Sequence, residues 1–133
     1  MSLKVVPEIY CTDIAESMSY FIQVLGFTIK YERPDEHFAY LSRDGVDLML
    51  EGLSGDSRKW ITGELNTPFG RGINFQWDVF NIDKLYSEVI VKSPDSIYLA
   101  LESKNYQVGN EFVTQKQFIV QAPDGYLFRF CEG

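Results

Sequence analysis

The sequence predicts an α+β fold in which a strand–helix–strand–strand–strand order, βαβββ, occurs twice within a single domain of 133 residues. Three observations predict it. Turn and cap signals recur at near-constant spacing: Asp44-Gly45 and Asp124-Gly125 lie 80 positions apart (124 − 44), as do Phe38 and Phe118 (118 − 38), while C-T-D-I at Cys11 and V-F-N-I at Val79 lie 68 apart (79 − 11). Short segments between turn residues alternate apolar and polar side chains, the period of a strand. Two longer segments instead repeat apolar residues every three or four positions, the period of a helix. A two-copy repeat of this length indicates internal duplication rather than a solenoid. Module one runs from about 4 to 52, a linking loop from about 53 to 71, and module two from about 72 to 131.

The elements follow in order. Val5 to Cys11 reads as a strand. Asp13 is placed to cap a helix, with Glu16 three residues on completing a capping box, and Ile14, Met18, Phe21, Ile22 and Leu25 form one face. Gly26 suits the residue just past the helix end. Phe27 to Glu32 is a second strand, and Arg33-Pro34-Asp35 a turn. Phe38 to Ser42 and Val46 to Glu51 are strands joined by Asp44-Gly45. Glycines and polar residues then dominate up to Gly72, with Trp60 and Phe69 embedded. Gly72 to Val79 opens module two. Ile82, Leu85, Tyr86, Val89 and Ile90 make its helical stripe. Ser93-Pro94 breaks that helix and predicts a second short helix through about Glu102. Strands are expected over about Tyr106 to Val108, Val113 to Ala122 and Tyr126 to Cys131.

Composition narrows the function classes. Aromatic residues make up 15% of the chain, enough for a large core, an aromatic-lined cavity, or both. Net charge is −7, with no Lys/Arg run, which argues against nucleic acid and anionic membranes as partners. No segment is long and apolar enough to span a bilayer. The apolar run Val5-Val6 before Pro7 is too short for a leader peptide, so the cytoplasm is the expected compartment. Cys11 and Cys131 are then expected as reduced core thiols. One histidine, His37 in a turn, cannot build a Ser/His/Asp or Cys/His nucleophile set.

Strand alternation sorts side chains onto two faces. Ile9, Cys11, Leu48, Leu50, Phe75, Trp77, Val79, Phe128 and Phe130 fall on the side of the helices. Glu8, Tyr10, Asp47, Met49, Glu51, Asn74, Gln76, Asp78, Leu127 and Arg129 fall on the other side, which is either a plain solvated face or the wall of a cleft shared by the two modules.

The segments V-P-E-I-Y-C-T-D-I-A-E-S, F-I-Q-V-L-G-F, F-A-Y-L, V-D-L-M-L-E, T-P-F-G-R-G-I-N-F-Q and Q-A-P-D-G-Y-L-F-R-F, in this order from about Val5 to Phe130, resemble the glyoxalase/bleomycin resistance protein/dioxygenase (vicinal oxygen chelate) superfamily. Within it they are most similar to the bleomycin-resistance branch. The resemblance implies paired βαβββ modules forming a cupped mixed sheet, a homodimer, and ligand grooves where two chains meet. By position, the places that carry metal ligands in metal-dependent members are similar to Val6, Met49, Asn74 and Arg129. Those residues offer one thioether and one amide oxygen, and Arg129 is a fixed cation. The expectation is therefore a small-molecule-binding protein with no metal or other cofactor, holding a cationic glycopeptide or another ligand in an aromatic and acidic cleft. A metal-dependent lyase, isomerase or dioxygenase is the alternative.

Phe38, Tyr40, Asp47, Met49, Trp60, Phe69, Asn74, Gln76 and Arg129 are the candidate ligand-binding residues. Trp60 and Phe69 either pack the loop or form a stacking wall. Phe38 and Tyr40 face the cleft only if the strand register holds. Arg129 either balances a cleft carboxylate, Glu8 or Asp47, or anchors a ligand carboxylate or phosphate. Arg71 is expected to pair within the loop.

Overall fold

The computed structural model describes residues 3–133. The chain divides into two compact units, Met1–Thr67 and Pro68–Gly133. The first contains β1 (Glu8–Cys11), α1 (Ile14–Ser19), β2 (Thr28–Arg33), β3 (Phe38–Arg43) and β4 (Val46–Gly52). The second contains β5 (Asn74–Val79), α2 (Ile82–Lys92), β6 (Ile97–Val108), β7 (Glu111–Gln121) and β8 (Leu127–Glu132). The sheet orders are β1-β4-β3-β2 and β5-β8-β7-β6, so the βαβββ order is repeated. In each sheet the first strand pairs in parallel with the last, and the other pairs are antiparallel.

The two helices start alike. The Asp13 carboxylate accepts from the Glu16 amide at 3.2 Å, and the Asn81 side-chain oxygen accepts from the Lys84 amide at 3.2 Å. Each satisfies an amide that a helix start leaves open, which confirms the 68-residue spacing. After α1 the chain continues as a π-helical turn, Tyr20–Val24, that buries Tyr20, Phe21 and Val24. Gly26 ends it at φ 78°.

The helix-facing set forms two cores. Ile9, Cys11, Leu48 and Leu50 are buried in the first unit, and Trp77, Val79, Phe128 and Phe130 in the second. Phe75 is half-buried. Phe128 stacks on Trp77 at 4.6 Å and on Phe75 at 5.4 Å. Each such side chain contributes about 1.5–3 kcal/mol over its exposed state. Cys11 and Cys131 are both buried thiols.

Three expectations change. The short helix expected after Ser93-Pro94 is instead one 3-10 turn, Pro94–Ser96, followed by the 12-residue β6. Ile97, Leu99 and Leu101 do alternate with Tyr98 and Ala100, but pairing irregularities between Ile97 and Glu102 break the period within a few residues. β1 and β5 begin at Glu8 and Asn74, later than Val5 and Gly72. Finally, Phe38 and Phe118 are not counterparts. Phe38 pairs with Glu51, and 80 positions on, Cys131 pairs with Gln117. The β7–β8 connection is one residue longer: Ser42 pairs with Asp47 (47 − 42 = 5), but Gln121 with Leu127 (127 − 121 = 6). Asp44-Gly45, both at positive φ, closes a two-residue hairpin turn. Pro123–Gly125 forms a wider turn, with Gly125 at φ 110°, where a Cβ would lie 2.4 Å from Cβ of Pro68. Only glycine fits there.

Candidate ligand pocket on the first sheet

Register fixes the second face of the first sheet. Glu8 lies opposite Met49 and Tyr10 opposite Glu51 across β1–β4, while Phe38 lies opposite Glu51 and Tyr40 opposite Met49 across β3–β4. Phe38 and Tyr40 therefore share a face with Glu8, Tyr10, Asp47, Met49 and Glu51, as the alternation predicted.

A pocket of about 280 Å³ opens over this face. Glu8, Glu51, Phe38 and Arg33, the last residue of β2, come from the sheet, Glu36 from the β2–β3 connection, and Ser57, Arg58 and Trp60 from the segment after β4. That segment is tied down at two points. The Trp60 amide donates to the Tyr10 hydroxyl at 2.8 Å, and the Ser57 hydroxyl donates to Glu51. Lys59 in turn donates to the Ser57 hydroxyl at 3.0 Å. Trp60 itself remains 66% exposed.

The pocket's charges are arranged unevenly. Burial and the negative charge of Glu51 push the Glu8 carboxyl above the usual carboxylate range, against a 3.4 Å hydrogen bond from Tyr10. Arg33 donates to Glu36 at 2.8 Å while its guanidinium lies 4.0 Å from the centre of the Phe38 ring. Arg58 lies 4.3 Å from the centre of the Trp60 ring. Such contacts contribute about 0.5–1 kcal/mol at exposed sites.

Asp47 sits on the same face, beside the pocket, and is fully engaged. It accepts from the Tyr40 hydroxyl at 2.5 Å, from the Ser42 hydroxyl at 2.7 Å, and from Lys4. Burial alone would raise its pKa, but the Lys4, Tyr40 and Ser42 donors prevail and hold it at about 2.

The other sequence candidates lie in the second unit. Asn74 and Gln76 are exposed on β5. Arg129 lies opposite Gln76 and donates to its side-chain oxygen at 3.0 Å. Phe69 is buried edge-to-face against Tyr126, so its ring serves the second unit's packing. Arg71 donates to the Pro68 carbonyl at 3.1 Å, a pairing within the loop as expected. His37 occupies a left-handed turn position, 3.1 Å from the Ser54 hydroxyl. Sequence reading missed Arg33, Arg58, Ser57 and Lys4. Arg33 could have been found by extending β2 one residue in alternation, whereas Ser57 and Arg58 lie in an aperiodic segment that carries no such signal.

The residues that the resemblance sets at metal-ligand positions do not suit a divalent ion. Val6 offers no donor, Met49 a soft thioether, and Asn74 one amide oxygen, while Arg129 adds a positive charge. Among the described residues, no three His, Cys, Asp or Glu side chains cluster closely enough to hold an ion. No helix among these residues is long and apolar enough to cross a membrane.

No protein-family model and no curated protein matches the chain. Solved structures do. A glyoxalase/bleomycin resistance protein/dioxygenase superfamily member from Vibrio splendidus 12B01 is 57% identical over 99% of this chain and 100% of its own, with a TM-score of 0.46. TioX from Micromonospora sp. ML1 superposes with a TM-score of 0.77 at 17% identity, covering 98% of both chains. The bleomycin-binding protein from bleomycin-producing Streptomyces verticillus, solved with copper(II)-bleomycin, gives 0.61 at 17% identity over 100% of this chain and 98% of its own. The last two likenesses show the fold. The identity to the Vibrio protein shows the family: this chain belongs to the glyoxalase/bleomycin resistance protein/dioxygenase superfamily.

Proposed function

We propose that the protein sequesters a small molecule without a metal, in the manner of bleomycin-resistance proteins, and that the first-sheet pocket holds the ligand. One observation carries this reading: a cavity whose walls combine a carboxylate pair, Glu8 and Glu51, with two aromatic side chains, Phe38 and Trp60. Sequestration needs affinity and shape rather than a reactive group, and this pocket contains no histidine or cysteine. A ligand bearing a cationic group suits the carboxylates, and the net charge of −7 would steer such a ligand toward the protein. A cationic glycopeptide such as bleomycin is the specific candidate, supported by the fold shared with the Streptomyces verticillus protein. Phe38, Tyr40, Asp47, Met49 and Trp60 belong to this site or its sheet. Asn74, Gln76 and Arg129 are proposed as contacts in the second unit, whereas the buried Phe69 ring is taken up by packing. A cytoplasmic homodimer whose partner chain completes the groove fits the family resemblance, and sedimentation of the purified protein tests it.

The test is titration with metal-free bleomycin while Trp fluorescence is followed. A saturable change at micromolar ligand, lost in Trp60→Phe, is expected. A flat titration removes the antibiotic as ligand. Stoichiometric metal in the purified protein, with an activity abolished by a chelator, would overturn metal independence.

A further inference from the structure

The pocket contains two opposite charges that do not neutralise each other. Glu8 and Arg58 both line it, yet neither makes an ion pair among the described residues. The neighbouring charges are already engaged. Arg33 is paired with Glu36. One oxygen of Glu51 accepts from Ser57, and Lys59 is held by the carbonyls of Gly55 and Ser57 and by the Ser57 hydroxyl. Asp47 is engaged with Lys4. That leaves a carboxylate pair, Glu8 and Glu51, each served only by a hydroxyl donor, and one guanidinium, Arg58, with no ion pair among the described residues, around a cavity of about 280 Å³. The Arg58 guanidinium lies over the Trp60 ring and donates no hydrogen bond among the described residues, so its N–H donors stay open to a planar, two-oxygen acceptor. Glu8 sits beside Glu51, and a ligand cation there would relieve the repulsion between the two carboxylates.

We propose that the pocket recognises a small zwitterion: an ammonium group on Glu8, a carboxylate on Arg58, and a planar apolar group against Phe38 and Trp60. This rests on the ligand-pocket reading above and narrows its ligand class. A ligand with only one charge would satisfy one residue and leave the other unpartnered in a site from which the ligand has displaced water. Recognition is therefore selective for molecules that carry both charges.

Three probes of one skeleton test it: L-phenylalanine, 2-phenylethylamine, which lacks the carboxylate, and 3-phenylpropanoate, which lacks the amine. None absorbs where tryptophan is excited selectively, so Trp60 fluorescence reports binding. L-phenylalanine is expected to bind at least about tenfold more tightly than either analogue, the scale of one charge-assisted hydrogen bond. Arg58→Gln should reduce that advantage over the amine to nothing, and Glu8→Gln the advantage over the acid. Arg58 is exposed and Glu8 half-buried, so the variants should fold, and unchanged circular dichroism checks it. Equal affinity of the amine and the amino acid overturns the zwitterion inference while leaving a cation-binding pocket. Silence of all three probes alongside binding of bleomycin does the same. Binding of L-phenylalanine without binding of bleomycin supports the inference and removes only the antibiotic. Variants that leave the preference unchanged also overturn it.

Discussion

The two sheets share strand order and pairing, yet their outer faces have diverged. In the first, Glu8 lies opposite Met49, Asp47 and Glu51 are buried, and the segment through Trp60 is tied across the face. In the second, Gln76 lies opposite Arg129, and Asn74, Gln76 and Asp78 are exposed. The helix-side faces have not diverged in this way: Leu48 and Leu50 in one sheet, Phe128 and Phe130 in the other, are all buried. The difference follows from what each face must do. A close-packed core tolerates little change in volume, whereas an outer face is shaped by whatever loop crosses it. The packing half is thus alike in the two modules, and the segment after β4 makes a pocket of one outer face.

The two tryptophans provide the largest expected contrast. Trp77 is 7% exposed and packs on Phe128 and Phe130, while Trp60 is 66% exposed at the pocket. Trp77→Ala should cost about 3–5 kcal/mol by leaving a cavity in the second core. Trp60→Ala should cost under about 0.5 kcal/mol, because only a surface contact is lost, and should weaken ligand binding. Urea unfolding of both variants measures the difference. Similar losses would mean that Trp60 is structural and that the pocket wall is part of a core.

A smaller effect separates the outer faces themselves. Asp47→Asn removes a buried charge that three donors serve, and should cost about 1–3 kcal/mol at neutral pH. Gln76→Ala, on the exposed counterpart face, should be nearly neutral. The sign with pH also follows. The folded pKa of Asp47, about 2, lies below its ordinary 3.8, so its contribution is present above pH about 4 and is lost as pH falls toward 2. Asp47→Asn should therefore flatten the acid side of the stability curve over that range. An acid limb as steep as in the wild type would show that the buried carboxylate does not govern it.

Much of this was readable from residues alone. Asp13 and Asn81 identified both helix starts because a cap is a local signal, and Leu48, Leu50, Phe128 and Phe130 identified the cores because alternation is strict in a paired strand. Alternation also placed Glu8, Phe38 and Tyr40 on one face. What failed had no local period. β6 was hidden by irregular pairing near Leu99, and the Phe118 equivalence failed on one added turn residue. The Arg58–Trp60 stack and the Lys4–Asp47 pair depend on where aperiodic chain lies after folding, which no spacing encodes.

Glu8 gives the smallest effect and reverses the sign of the Asp47 prediction. Burial and the Glu51 charge raise its folded pKa above the ordinary 4.5. The favourable contribution of the protonated form is therefore complete below pH about 4.5 and is lost as pH rises through the folded value. At neutral pH the ionised carboxylate opposes folding, and Glu8→Gln should raise stability, by less than about 1 kcal/mol. The same variant should impair binding of a cationic ligand. Thermal unfolding at neutral pH and again at pH 4 distinguishes the causes: the gain should shrink at the lower pH, where the wild-type residue carries its proton. A gain independent of pH would point to packing rather than charge, and a loss of stability would mean that the cations near Glu8, Arg33 and Lys59, outweigh burial and Glu51 there.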